Sequence, residues 1–363
     1  MSGPVRATPV RVLIADPDTA TRGGLVALCR HEPDISVVGE AVNGAQTAEL
    51  ARLLRPSLVL MDVRMPGLDG VECTKLIMRE SPTPIIVLTN STSAHDVEAG
   101  LRAVRHGALT VLPKPPAPGS AHPSTTASGA TRADLTGEAA GRHLVSMVKA
   151  LSDVKVVRRR SDRPAGARSD DPSPRLQIIG IAASTGGPPA LARLLQELPA
   201  DLPVPMVVVQ HIVEGFLPGL VAWLGADVPF RVAIAAEGQH LVPGTVYLAG
   251  DGRHLEIDAQ LRAHLTSTPP IAGFRPSATV LFASMARALG PAAIGVVLTG
   301  MGTDGLEGLR ELRRAGGRVL AQDQQTAVVN GMPGAVVAAG LAHVVGPVTR
   351  LAADLSERAR RRQ

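Results

Sequence analysis

Residues 177–188 read Gln-Ile-Ile-Gly-Ile-Ala-Ala-Ser-Thr-Gly-Gly-Pro. From Ile178 to Ala183 the stretch is apolar without alternation, as in a strand buried on both faces of a parallel sheet. It then turns on Ser184, Gly186 and Gly187. Pro188 suits the first turn of a helix, where no backbone donor is missed. Strand, glycine turn and helix (188–198) make one unit of an α/β sheet, and the same pattern recurs on both sides. Downstream, Met206–Gln210, Val246–Leu248, Ile294–Thr299 and Val319–Ala321 read as strands, and Gly305–Ala315 as a second clear helix. Upstream, Val10–Ala15, Ile35–Ala41, Leu58–Met61, Ile85–Thr89 and Thr110–Leu112 read as strands. They alternate with helices over Ala20–Cys29, Ala45–Leu53, Val71–Met78 and Ala94–Arg105.

This alternation predicts an α/β protein of two domains. The first is a doubly wound, flavodoxin-like domain over 9–157; the second is an α/β parallel-sheet domain over 176–350. Pro115–Thr136 is rich in Pro, Ser, Ala, Gly and Thr and cannot build a core, so a disordered insertion is expected over about residues 115–140. Leu144–Val157 reads as the first domain's last helix, postponed by that insertion. Residues 158–175 form a polar, Pro-containing linker, and 351–363 a short amphipathic tail ending in Arg.

The 363 residues are 45% apolar and 19% charged, with 2% aromatics, so the cores must be built from Leu, Val, Ile and Ala. So few aromatics also argue against stacking platforms for single-stranded nucleic acid. The net charge of +5 lies outside the folded segments: residues 116–175 carry +4 and 353–363 carry +2, leaving −1 for the rest. No nucleic-acid partner is expected. Cys29 and Cys73 have no metal-ligand spacing and read as reduced packing residues. No apolar run approaches the roughly 20 residues needed to cross a bilayer, and no secretory segment precedes the first strand. The expected location is the cytoplasm, with no membrane insertion.

In doubly wound sheets ligands meet the C-terminal ends of strands. In the first domain those ends carry Asp16, Asp62, Thr89 and Lys114. Acidic groups can hold Mg²⁺, while a hydroxyl and an ammonium opposite can grip phosphoryl oxygens. Each residue alone is ordinary turn chemistry; the set is specific, with Met65-Pro66 and Asp69-Gly70 beyond Asp62 and Pro115 after Lys114. On these residues, 9–157 resembles the response-regulator receiver domain. The resemblance implies Asp62 as phosphoacceptor, Asp16 and Asp62 as the Mg²⁺ site, Thr89 as switch hydroxyl and Lys114 as phosphate contact. Such domains carry two adjacent acids after the first strand. Here Pro17 follows Asp16 and Asp18 comes one place late, so weakened Mg²⁺ binding is expected.

By itself, the Ser184 turn could expose a nucleophile or cradle a phosphate, since both use a Gly-rich approach to a helix N-terminus. Two further strand ends decide between them. Val207-Val208-Val209-Gln210 ends on His211, and Val296-Val297-Leu298-Thr299-Gly300-Met301-Gly302-Thr303 leads to Asp304-Gly305. Nucleophile, base and orienting acid then share one sheet edge, as acyl transfer requires. The order Ser…His…Asp and the lack of a Gly-x-Ser-x-Gly elbow separate the domain from the α/β-hydrolases. With Ala321-Gln322-Asp323, Gly331-Met332-Pro333, Arg275-Pro276-Ser277 and the strand at His254, residues 176–350 resemble the catalytic domain of the chemotaxis methylesterase (CheB) family.

That resemblance implies Ser184 as nucleophile, His211 as base and Asp304 as the group orienting it, with amides near Thr185 and Met301 as oxyanion donors and no cofactor for hydrolysis. Ile212-Val213 and Asn330 depart from the family pattern without removing a chemical group. The function implied is hydrolysis of glutamate methyl esters on chemoreceptor helices, with glutamine deamidation as a second activity. A chemotaxis histidine kinase would supply phosphate, and the receiver would control the esterase. A transcription factor is disfavoured, because the C-terminal half has no helix-turn-helix-sized unit. A silent adaptor is disfavoured by the intact triad. Trp223 and Tyr247 are left to packing, and His31, His95 and His106 to exposed positions.

Overall fold

The computed structural model describes residues 8–90, 93–115, 137–154 and 175–360. The chain divides into two compact units, Met1–Arg159 and Arg160–Gln363. The first holds β1 (Val10–Ala15), α1 (Thr19–Arg30), β2 (Ile35–Ala41), α2 (Gly44–Leu54), β3 (Leu58–Asp62), α3 (Gly70–Glu80), β4 (Ile85–Thr89), α4 (Ala94–Arg105), β5 (Thr110–Pro113) and α5 (Gly137–Leu151). Its sheet is parallel in the order β2-β1-β3-β4-β5, the doubly wound flavodoxin-like order.

The last helix differs from expectation. It begins at Gly137 rather than Leu144 and ends at Leu151 rather than Val157. Leu144, Met147, Val148 and Leu151 bury its apolar stripe, and Lys149 pairs at 2.7 Å with both Glu32 and Asp34 of the same unit. The part of the expected insertion at 137–140 is therefore helix, while 116–136 and most of the 158–175 linker fall outside the described residues.

The second unit holds β6 (Ile178–Ala183), α6 (Gly187–Glu197), β7 (Met206–Gln210), α7 (Leu217–Asp227), β8 (Arg231–Ile234), β9 (Thr245–Leu248), β10 (His254–Ile257), β11 (Ala263–Thr266), α8 (Ala278–Leu289), β12 (Ala293–Val297), α9 (Leu306–Arg314), β13 (Arg318–Gln322), α10 (Met332–Ala338), β14 (Val344–Gly346) and α11 (Val348–Arg360). Seven strands pair in parallel in the order β14-β13-β12-β6-β7-β9-β8, and β10 and β11 form a separate antiparallel pair.

Strand parity explains the continuous apolar runs, because alternate residues feed two separate cores. Ile179, Ile181, Val208 and Val296 pack with Leu191 and Leu195 of α6 and Leu351 and Leu355 of α11. Ile178, Ala182, Val209 and Val297 pack on the opposite face with Phe282 of α8 and Leu309 of α9. The expected tail is thus a correction: α11 belongs to the domain, with Leu351, Ala352 and Leu355 fully or almost fully buried. Cys29 and Cys73 are free and buried, and burial pushes their thiols up to about 11 and about 12, so neither is a reactive thiolate. Among the described residues no helix is long and apolar enough to cross a membrane.

β6 lies between β7 and β12, the strands reached from it in opposite directions. A crevice therefore opens beyond the C-terminal end of β6. Ser184 is the residue at that opening.

Candidate active site

Ser184 follows β6 and is half-buried. Its amide donates to the Thr299 carbonyl at 3.0 Å, and its own carbonyl accepts the Gly187 amide at 2.7 Å, closing the turn into α6. Gly186 makes that turn with φ 73°, in the left-handed region open to glycine. Gly300 is needed for space: a Cβ there would lie 2.8 Å from the Ser184 Cβ and 2.4 Å from the Met332 sulfur. Met301 follows Gly300 in the chain, as Thr185 follows Ser184 within the turn.

His211 follows β7, with its side chain 9% exposed. Its amide donates to the Ala183 carbonyl at 2.9 Å, tying it to the residue before Ser184. Nε2 lies 2.9 Å from Asp304 Oδ2, while Nδ1 is buried with no hydrogen-bond partner among the described residues. The imidazole stacks on Phe274, with ring centroids 4.1 Å apart and planes 9° from parallel.

Asp304 is more deeply held than strand-end logic alone predicts. Its carboxylate meets the N-terminus of α8, where Oδ2 accepts the Ala278 amide at 2.7 Å. Oδ1 accepts the Ser277 hydroxyl at 2.6 Å, the Thr279 hydroxyl at 3.0 Å and amide at 3.2 Å, and the Gly305 amide at 2.9 Å. Burial works to raise this carboxyl, but the hydrogen bonds from His211 and Ser277, the charge on His211 and the Ala278 amide outweigh it and hold the group down to about 2. Asp304 is thus a carboxylate at neutral pH, its geometry fixed from several sides.

Sequence reasoning gave no role to several residues that brace this site. Gln210 Nε2 donates to the carbonyls of Ser184 (2.9 Å) and His211 (2.8 Å), one amide spanning nucleophile and base segments. The wholly buried Thr299 donates its amide to Gln322 Oε1 at 2.8 Å and its hydroxyl to the Thr185 carbonyl at 2.9 Å. Ser277 caps α8 and reaches Asp304, and His254 Nδ1 accepts the Ser277 amide at 3.1 Å. A buried Gln at a strand end beside a candidate base was the one local signal available; the other contacts join residues far apart in sequence. Trp223, half-buried, donates to Asp227 at 2.8 Å, and Tyr247 is core. His31, His95 and His106 are exposed.

In the first unit, Asp16, Asp62 and Lys114 meet at the C-terminal end of the sheet, with Thr89 at the end of the neighbouring strand β4. The Lys114 ammonium lies 2.6 Å from both Asp16 and Asp62, and its amide donates to the Thr89 carbonyl at 2.9 Å. Asp18 does not join them. Its carboxylate caps α1, accepting the Thr21 amide at 2.7 Å, and that hydrogen bond lowers its pKa. Its amide donates instead to Asp16 at 2.9 Å. No group of three or more His, Cys, Asp or Glu side chains that could hold a metal occurs among the described residues. Two carboxylates sharing one cation do suit Mg²⁺, which takes one or two protein carboxylates and completes its shell with water and phosphate oxygens.

The family profile described as CheB methylesterase matches residues 179–355, and the one described as response regulator receiver domain matches 12–122. The protein-glutamate methylesterase/protein-glutamine glutaminase 4 of Myxococcus xanthus is 48% identical over 356 residues, 96% of each chain. The enzyme of the same name numbered 3 in Anaeromyxobacter dehalogenans is 45% identical over 93% of this chain and 95% of its own. The crystal structure of the Thermotoga maritima CheB methylesterase catalytic domain aligns at 36% identity over 50% of this chain and 98% of that one, with a TM-score of 0.49. Identity at this level along nearly the whole length, on a chain whose two units carry the two expected sets of residues, settles the family: this chain belongs to the CheB methylesterases with an N-terminal response-regulator receiver domain.

Proposed function

We propose that this chain is a chemotaxis-type response regulator that hydrolyses glutamate methyl esters on chemoreceptor helices, releases methanol, and also deamidates receptor glutamines. The observation that carries this reading is the buried Asp304–His211 pair beside the Ser184 turn, with one imidazole nitrogen on the carboxylate and the other unpartnered. Ser184 Oγ attacks the ester carbonyl while His211 Nδ1 takes its proton, and Asp304 stabilises the resulting imidazolium. The oxyanion is met by the amides of Thr185 and Met301. Collapse expels methanol, protonated by His211. Water then attacks the acyl-enzyme with His211 again as base, freeing the glutamate carboxylate and Ser184. A glutamine follows the same course and loses ammonia. No cofactor is needed for these steps.

In the receiver, Asp62 accepts phosphate from a chemotaxis histidine kinase, and Thr89 and Lys114 contact the phosphoryl group. Asp16 and Asp62 would hold Mg²⁺, which offsets the charge brought by phosphate. The protein acts in the cytoplasm, where the signalling ends of such receptors lie. The test is methanol release from methyl-labelled receptor by the full-length chain, with and without a small acyl-phosphate donor. Release that rises with the donor supports both activity and control. Absence of release rejects the enzyme, and release indifferent to the donor rejects the control.

Pro17 gives a second expectation. Asp18 is engaged in capping α1, so only two carboxylates face the cation position. Pro17→Asp should tighten Mg²⁺ binding about tenfold by adding a third acid, whereas Asp18→Ala should leave it unchanged and instead lower the melting temperature through loss of the cap. Calorimetric titration decides. Tight Mg²⁺ binding by the parent, or its loss in Asp18→Ala, contradicts this account.

A further inference from the structure

We propose that Phe274 is a positioning residue for His211: its ring fixes the plane of the imidazole and faces the charge that develops there. The inference rests on the reading of His211 as the base. The hydrogen bond from Nε2 to Asp304 fixes one point of the ring, about which the imidazole can still swing. A partner stacked at 4.1 Å and 9° removes that freedom, so that Nδ1 keeps one direction throughout the cycle. When His211 takes the Ser184 proton it becomes a cation against an aromatic face, an arrangement that favours the charged form.

The segment that carries Phe274 is built for a fixed position. Ile271 and Phe274 exchange both backbone hydrogen bonds, at 3.1 and 2.9 Å, across a two-residue turn. Ala272 and Gly273 occupy it with φ 50° and 84°, both left-handed. Two positive φ values in a two-residue loop match the twist of a tight hairpin, and the alanine holds a conformation that costs it energy, as residues at functional sites often do. Both ends of the hairpin are tied to one side chain. The wholly buried His254 donates from Nε2 to the Pro269 carbonyl at 3.2 Å and accepts the Ser277 amide at Nδ1 at 3.1 Å. Ser277 in turn donates to Asp304 at 2.6 Å. One anchored segment therefore positions the imidazole twice, by its face through Phe274 and by its edge through Ser277 and Asp304.

The test compares full-length Phe274→Ala, Phe274→Leu and Phe274→Tyr with the parent, reading kcat and KM for methanol release and the melting temperature of each. Loss of the stack should lower kcat about ten- to thirtyfold in the Ala and Leu variants with KM changed less than about twofold, while Tyr stays within about threefold of the parent. The Leu and Tyr forms both keep apolar cover at this position, so their comparison stands even if the Ala form does not fold. Parental kcat in Phe274→Leu would show that apolar cover suffices and overturn the proposal. So would a rise in KM alone, which marks a substrate contact, or a Tyr variant as slow as Ala. A parent chain that releases no methanol is a different failure: it rejects the hydrolase reading before any variant is compared, and the positioning role with it.

Discussion

Ser184→Ala is expected to lower methanol release by about 10⁴-fold or more while leaving the fold intact. The hydroxyl is the group that forms and breaks the covalent bond, and no neighbouring side chain on the sheet edge can replace it. The serine is half-buried, and its turn is held through backbone groups, the amide to Thr299 and the carbonyl to Gly187 and Gln210. Alanine keeps all of these, so the melting temperature should stay within a few degrees. His211→Ala should fall to a similar level. The double variant should be no slower than either single one, because nucleophile and base act as a unit. Additive losses, or a Ser184→Ala protein retaining more than about a hundredth of parental activity, would contradict the assignment.

Asp304→Asn should differ by damaging both activity and stability. An amide at this position favours the wrong imidazole tautomer and cannot stabilise imidazolium, so a loss of about 10²- to 10⁴-fold in kcat is expected. The carboxylate also accepts donors from Ser277, Ala278, Thr279 and Gly305, and an asparagine would turn an NH₂ group toward some of them. A carboxyl lowered from 3.8 to about 2 in the folded state contributes roughly 2 kcal/mol at neutral pH. Because the folded value is the lower one, that contribution is complete above the unfolded pKa and disappears as the pH falls from about 4 through about 2. Thermal melts across that interval should show the parent losing this increment and Asp304→Asn, already without it, changing less. Parallel curves would mean that folding does not lower the Asp304 carboxyl, and an Asn variant of parental activity would remove it from the mechanism.

How much of this was legible in the sequence followed from where each signal resides. Ser184 and His211 could be read because each directly follows a continuously apolar strand, and Asp304 because it closes the Gly-rich loop that leads on from β12; strand ends in parallel sheets share an edge whatever the helices do. Asp16, Asp62, Thr89 and Lys114 were legible for the same reason. The braces around them were not. Phe274 reaches His211, and Ser277 reaches Asp304, across stretches with no periodic relation to either strand. α8 was missed because Leu281, Phe282, Ala283, Met285 and Ala286 are all buried, which leaves little of the one-sided pattern that marks a surface helix. α11 resembles a tail in sequence because arginines crowd its end, yet the spacing of Leu351, Ala352 and Leu355 places one stripe in the core. The misplaced start of α5 has a compositional cause. Gly137, Ala139, Ala140 and Gly141 look like the end of the Pro- and Ser-rich insertion, yet they lie within α5.

The central claim is that Ser184, His211 and Asp304 form a working nucleophile. The most direct measurement is reaction of the full-length chain with a fluorophosphonate, followed by peptide mass mapping. A single adduct on Ser184 is predicted, with labelling at least about a hundredfold slower in His211→Ala because the hydroxyl is then without its base. A folded parent protein that takes no label, that is labelled on another residue, or that is labelled at the same rate when His211 is replaced would contradict it.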